Sequence, residues 1–264
     1  VKLLTISLMM SCNRACYYCP VKKWLVPMGS PRERVVNRIT NEALLKWLDK
    51  YISPRDWIIE ITGGEPGLYP EIQTLIPELA GRGYRGLIKT NGTLPIPKSG
   101  AFQRVAAWHE GTEIPAQYDQ ILIIKNPKDD WKRKILYCEE NGIPYQTVLF
   151  DRGYKGKRID TSRCGVNKML AVLHVNSFGM ITPCSARLNP IKCQDIFTMF
   201  PPIPNNNLVS GCPRCKNVAD VEKFLPPDLR ERLERDYERA RVEINPAYAT
   251  ERKEKIATLL EVKQ

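Results

Sequence analysis

Residues 3–20 read LLTISLMMSCNRACYYCP, an apolar, strand-like run that breaks into three cysteines within eight positions. Such a run bounded by small polar residues has the composition of a strand, which puts the cysteines on the loop leaving it. Their spacing is Cys12-x3-Cys16-x2-Cys19. A tetrahedral zinc site takes its ligands in C-x2-C pairs and needs four. Cys16 and Cys19 make one such pair, and Cys12 stands outside it. Three thiolates on one short loop suit an iron–sulfur cluster better, because one iron is left for a ligand that is not protein.

Outward from that loop the chain alternates strand and helix. Thr40 is placed to cap an amphipathic helix, NEALLKWLDKYI (41–52). WIIEIT (57–62) is a second strand that runs into GGEPGLYP. A helix is expected over 70–81, stopped by Gly81 and Gly83, and RGLIKT (85–90) is a third strand ending in Asn-Gly. AFQRVAAWHE (101–110) reads as helix, QILIIKN (120–126) as the fourth strand, DDWKRKILYCEEN as a helix ended by Gly142, and PYQTVLF (144–150) as the fifth strand. Repeated strand–helix units imply an α/β fold with parallel strands and helices outside the sheet. The expectation is a partial (β/α) barrel of five to six parallel strands over residues 1–150. In such barrels the chemistry gathers on the loops after the strand C-termini. The cysteine loop, GGEP and TNG all fall there.

After Phe150 the alternation stops, since residues 151–163 are too few for another helix and strand. KMLAVLHVNSFGMITPC reads as a hairpin turning near Ser177–Gly179, with Cys164, Cys184, Cys193, Cys212 and Cys215 around it. From Pro227 the chain is a charged helix broken at Asn245-Pro246, then a further helix. The expected division is residues 1–150, a small cysteine-rich unit over 151–220, and C-terminal helices over 221–264.

Composition narrows the class. A chain of 264 residues with 43% hydrophobic and 26% charged residues is that of an ordinary globular protein. No apolar stretch approaches the roughly 20 residues that span a bilayer. VKLLTISLMM lacks the cationic start of a signal peptide and reads as a strand. Nine clustered cysteines favour metal ligation in a reducing cytoplasm over a disulfide framework. The net charge of +11 is uneven: residues 221–264 hold ten basic and ten acidic side chains, so the excess lies upstream. It concentrates between Arg14 and Arg38 and between Arg152 and Lys192.

The cysteine loop after the first strand and GGEP after the second together resemble the radical S-adenosylmethionine (radical SAM) superfamily. KTNGTL (89–94) is similar to its third-strand segment. The resemblance implies that Cys12, Cys16 and Cys19 hold three irons of a 4Fe–4S cluster. The fourth iron would take the amino and carboxylate groups of S-adenosylmethionine. One electron would then cleave the sulfonium to methionine and a 5′-deoxyadenosyl radical, which takes a hydrogen atom from the substrate. It further implies that Gly63, Gly64, Glu65 and Pro66 bind the methionine moiety and that Tyr18 brings its backbone to the adenine. Thr90, Asn91 and Asn126, at strand ends, are further cofactor candidates. Gly63 and Gly64 admit a close backbone approach to the ligand. Glu65 is suited either to ordering the loop or to accepting from the methionine ammonium. A donor such as flavodoxin or ferredoxin would supply the electron.

The second cysteine set, Cys164, Cys184, Cys212 and Cys215, resembles the twitch extension, a short relative of the SPASM domain. That extension carries one auxiliary 4Fe–4S cluster, for a total of two; Cys193 is an unassigned extra, and a zinc ribbon is the competing reading. Cys138 reads as a buried small hydrophobe, and His109 and His174, without ligand spacing, as structural histidines. Strand alternation turns Lys89 into the barrel together with Glu60 and Thr62, as an ion pair with Glu60 or as a substrate contact. Arg152, just past the fifth strand, is the second substrate candidate.

The basic stretches read either as a solvated surface that also offsets the negative charge of the clusters or as the site of an anionic substrate, nucleotide- or nucleic-acid-derived, held by some of Lys22, Lys23, Arg152, Lys155, Lys157 and Arg158. One alternative is a two-electron dehydrogenase of an aminosugar or cyclitol alcohol, with the auxiliary cluster accepting the second electron. Another is a zinc-binding nucleic-acid adaptor, in which GGEP and the strand–helix repeat have no purpose.

Overall fold

The computed structural model describes residues 2–16, 19, 25–31, 33, 37–109, 112–115, 117–125, 129–149, 172–182 and 194–198. Tyr18, Asn126, Arg152, the five downstream cysteines, the basic residues at 22–23 and 155–158, and the expected C-terminal helices lie outside the described residues.

The sheet begins with β1 (Lys2–Met9), β2 (Trp57–Gly63) and β3 (Arg85–Thr90), each paired in parallel with the next. Helix α1 (Asn41–Tyr51) joins the first two, and α2 (Ile72–Gly81) joins the next two. Thr40 caps α1 as expected, its hydroxyl accepting from the Ala43 N–H at 3.3 Å. The stripes Leu44, Trp47, Leu48 and Leu75, Ile76, Leu79 bury against Leu4, Ile6, Leu8, Ile59, Ile61 and Ile88. At roughly 1.5–3 kcal/mol for each large apolar side chain buried, this interface supplies the main driving force for the fold.

The segment 101–110 differs from expectation. Phe102–Ala107 is a strand, β4, inserted in parallel between β3 and β5 (Gln120–Lys125). Phe102, Val105 and Ala106 satisfy a helical period, but the seven residues between Gly100 and Trp108 make only about two helical turns. As a strand they satisfy two neighbours' ladder bonds at once. The links on either side of β4, residues 91–101 and 108–119, are close to the minimum length for a parallel crossover. Among the described residues the parallel strands therefore number six before the hairpin, the segment at 120 being the fifth. Helix α3 (Trp131–Glu140) leads into β6 (Tyr145–Leu149) and packs its buried Cys138 with Trp108, Ile121 and Ile123.

The expected hairpin is present as β7 (Val172–Val175) and β8 (Met180–Thr182), turning through Gly179 at φ +82°. It continues the same sheet: β7 pairs in parallel with β1, and β9 (Gln194–Asp195) closes the order β6-β5-β4-β3-β2-β1-β7-β8-β9. A partial parallel sheet with flanking helices is thus the architecture. No helix among the described residues is long and apolar enough to cross a membrane.

The face turned away from α1 and α2 mixes polar side chains with the apolar Leu3, Ile58, Leu87 and Val105. Across it, register places His174 beside Thr5, Thr5 beside Glu60, and Lys89 beside Val105. Lys89 Nζ lies 2.5 Å from Glu60 Oε1, the ion pair that alternation predicted, and Thr5 donates to Glu60 Oε2 at 3.1 Å. His174 Nε2 is 2.8 Å from Ser7 Oγ. Burial pushes the His174 imidazole down to about 4, so the folded chain resists a proton that the unfolded chain accepts near 6.5. Its contribution is complete above about pH 6.5 and is lost as the pH falls toward 4. The melting temperature should decline across that window, and His174→Gln should flatten the decline. An unaltered slope in the variant would mean that another group sets it.

Candidate functional site

The C-terminal ends of β1, β2 and β3 meet at one rim, and the contacts that join them are mostly backbone. Gly64 N–H donates to the Met9 carbonyl at 2.6 Å, and Glu65 N–H to the Ser11 carbonyl at 2.9 Å. The GGEP turn is therefore hydrogen-bonded to the start of the cysteine loop. Neither glycine has room for a side chain: a Cβ on Gly64 would lie 2.0 Å from the Ser11 oxygen, and one on Gly63, at φ +135°, 2.4 Å from the Met9 oxygen. The neighbour that requires these glycines is the protein's own backbone, where the sequence reading had assigned the close approach to a ligand.

Glu65 is wholly buried and serves as the hub of the rim. Oε1 accepts from Gly67 N–H at 2.9 Å and Thr90 Oγ1 at 2.6 Å, and Oε2 accepts from Asn91 N–H at 2.7 Å. Burial raises its carboxyl above the ordinary range, while these three donors and the Arg14 charge pull the other way. Of the two roles considered for Glu65, ordering the loop is the one its hydrogen bonds perform. Pro66 opens the short 3₁₀ turn that follows, Pro66–Leu68.

Asn91 carries the linkage across to the cysteines. Its Nδ2 donates to Asn13 Oδ1 at 2.8 Å and lies 3.6 Å from Cys12 Sγ, while its Oδ1 accepts from Thr93 N–H at 3.0 Å. Asn37 holds the other side of the loop, accepting from Met10 N–H at 2.8 Å and donating to Ser11 Oγ at 3.1 Å. Cys12, Cys16 and Cys19 are in no disulfide and are partly exposed, and Cys19 N–H turns back to the Cys16 carbonyl at 3.2 Å. Among the described residues no three His, Cys, Asp or Glu side chains converge on the position of a single metal ion. A cubane makes a different demand, one thiolate on each of three irons. Three thiol side chains on one anchored, solvent-reachable loop fit it by chemistry and count.

Three residues of the rim were missed in the sequence. His109, just after β4, is buried with its Nδ1 3.5 Å from Cys16 Sγ. Burial, with the Arg14 and Lys134 charges nearby, brings its imidazole down to about 4. Arg14 has a buried Nε with no acceptor among the described residues. Asn37 had no motif to mark it. His109 was passed over because ligand spacing was sought along the chain, whereas its neighbour is 93 positions away.

The chain matches the Radical SAM superfamily profile over residues 6–155, more than half of its length. It is 26% identical over 167 residues to the AdoMet-dependent heme synthase of Nitratidesulfovibrio vulgaris, covering 60% of this chain and 43% of that protein. The fold is similar to Streptococcus suis SuiB bound to S-adenosylmethionine, with a TM-score of 0.55 and 16% identity over 74% of this chain and 63% of that one. It is also similar to anSMEcpe with bound AdoMet, with a TM-score of 0.50 and 16% identity over 74% and 78% of the two chains. At such identities the structural likeness speaks to the fold alone. The chain spans under half of the heme synthase and under two thirds of SuiB.

Because the GGEP turn is held by backbone contact, Gly64→Ala should cost at least the roughly 1–3 kcal/mol typical of overpacking. Urea unfolding should show it, with Gly100→Ala, which has nothing within 4 Å of its new Cβ, as the near-neutral comparison. Equal stability of the two variants would remove the contact from the account.

Proposed function

The chain belongs to the radical SAM superfamily, and on that footing we propose that Cys12, Cys16 and Cys19 ligate a 4Fe–4S cluster serving S-adenosylmethionine cleavage. Cleavage of this cofactor followed by radical abstraction of a hydrogen atom is the general chemistry that membership brings. The observation that carries the residue assignment is the backbone joining of the cysteine loop to GGEP through Met9 and Ser11. It supports the assignment by holding the start of the cysteine loop, next to Cys12, against the turn proposed to hold the methionine moiety.

When bound, the cluster supplies the single electron that breaks the sulfonium bond. The protein's part is placement. Gly63–Pro66 present the methionine-side wall, with Thr90 and Asn91 held in the same network through Glu65. Arg14, with a donor that has no acceptor among the described residues, offers a charge to a carboxylate at this rim. Tyr18 and Asn126 are proposed to complete the adenosine side. A low-potential protein donor of the flavodoxin or ferredoxin kind is the proposed reductant.

We further propose an auxiliary 4Fe–4S cluster on Cys164, Cys184, Cys212 and Cys215, and an anionic substrate, nucleotide- or nucleic-acid-derived. The substrate reading rests on the uneven charge, above all the KGKR run at 155–158. One observation favours the second reading, dehydrogenation of a neutral aminosugar or cyclitol alcohol. On the face of the sheet turned away from α1 and α2 the Glu60 and Lys89 charges are already paired. On the same face, near the starts of β4 and β6, Gln103 and Gln146 have buried Oε1 atoms with no donor among the described residues. Unpaired amide acceptors suit hydroxyl or amine hydrogens better than phosphate oxygens.

Anaerobic reconstitution should give a dark protein containing iron, and replacing any of Cys12, Cys16 or Cys19 by Ala should abolish 5′-deoxyadenosine formation, followed by mass. Near-normal cleavage by one of these variants, or a colourless zinc protein, defeats the assignment. The double variant of Cys212 and Cys215 to Ala should lose iron equivalent to one cluster and keep the other. Unchanged iron there removes the auxiliary site.

The two substrate readings part at residues 155–158. Neutralising the KGKR run should raise KM for an anionic substrate and flatten its salt dependence, with both clusters intact. Binding that is indifferent to salt and to these side chains favours the neutral alcohol.

A further inference from the structure

Two of the three loop sulfurs have a nitrogen directed at them from outside the loop. Asn91 Nδ2 is 3.6 Å from Cys12 Sγ, and His109 Nδ1 is 3.5 Å from Cys16 Sγ. The first follows β3 and the second follows β4, adjacent strands of the sheet. Their placement is thus set by the sheet rather than by the cysteine loop. The Asn91 side chain is orientated by Thr93, whose N–H and hydroxyl both donate to Asn91 Oδ1, at 3.0 and 2.5 Å. That leaves its NH₂ facing the cysteines, with one hydrogen toward Asn13. His109 is only 8% exposed, and its carbonyl accepts from Thr112 Oγ1 at 2.8 Å. A cysteine that ligates iron is a thiolate and has no hydrogen to give. In the loaded protein the nitrogens must be the donors at both contacts, with the His109 hydrogen on Nδ1.

We infer that Asn91 and His109 tune the reduction potential of the cluster held by Cys12, Cys16 and Cys19, each by an N–H···S hydrogen bond to a ligand thiolate. One-electron reduction adds negative charge that is shared by the sulfurs. A donor dipole aimed at a sulfur stabilises the reduced form more than the oxidised one and raises the potential. The partly buried setting strengthens the effect, because a low local dielectric screens the dipole less than water does. The inference rests on the three cysteines being the ligands, and both residues act through them as positioned donors.

The test is an EPR-monitored redox titration of the full chain, reconstituted anaerobically and without S-adenosylmethionine. The signal belonging to this cluster is identified by its loss in Cys16→Ala. His109→Leu should shift the midpoint to lower potential, and Asn91→Ala combined with it should shift it further. His109→Asn, whose side-chain amide nitrogen takes the place of Nδ1, should recover most of the shift. Iron per chain separates two kinds of failure. Absence of the cluster in the wild-type protein overturns the ligand assignment, whereas full iron with an unmoved midpoint in the Leu variant overturns the tuning alone. Should His109→Leu fail to load, His109→Asn is compared with His109→Gln, which carries its amide at the place of Nε2. A lower midpoint for Gln than for Asn supports the inference, and equal midpoints overturn it.

Discussion

The rim of this sheet depends on one close approach of two backbones. The peptide groups of Gly63 to Glu65 lie so near those of Met9 and Ser11 that no side chain can stand between them. Two hydrogen bonds and a van der Waals contact at that distance hold the loop leaving β1 against the turn leaving β2. The rest of the rim is placed relative to this contact. Cys12 directly follows Ser11, and Glu65 directly follows Gly64. The first thiolate and the buried carboxylate are therefore positioned by the same two hydrogen bonds.

Burying that carboxylate carries an electrostatic cost, visible in the upward pull on its protonation. It is offset by three donors, which come from the turn itself and from the end of β3. Glu65 thereby converts a contact between two strands into one among three, because Thr90 and Asn91 must stay where they are to satisfy it. Asn91 then reaches back to Asn13 in the cysteine loop, closing a ring of contacts from β1 through β2 to β3. A ring of this kind resists displacement of any single member, since each of its groups would lose a buried partner.

How much of this was legible in the sequence follows from whether the cause is local. The strands at 57 and 85, the helix capped by Thr40 and the stop at Gly83 rest on period, caps and turn residues, all read within a dozen positions. The Glu60–Lys89 pair was also within reach, because alternation fixes the face of each residue once two strands are neighbours. The segment at 101 was misread because its local pattern fits a helix and only its neighbours make it a strand. Recognising β4 needs the knowledge that β3 and β5 have a gap between them. The glycines of GGEP were recognised as a close approach, but the thing approached, Met9 and Ser11, is visible only in three dimensions. His109 and Asn37 belong to the same class: ordinary residues given a role by tertiary placement.

The two faces of the sheet divide the work. One is closed by α1 and α2 with Leu, Ile and Trp side chains, and it supplies most of the apolar burial. The other carries His174, Thr5, Glu60, Lys89 and the glutamines across its strands, among the apolar Leu3, Ile58, Leu87 and Val105. The Glu60–Lys89 pair on that face is internally matched, with Thr5 taking part of the remaining carboxylate capacity. What it leaves for a partner is hydrogen-bonding geometry rather than net charge. The net charge of +11 is therefore not carried by this pair, and on the proposed reading recognition of an anionic group would fall to basic residues elsewhere in the sequence.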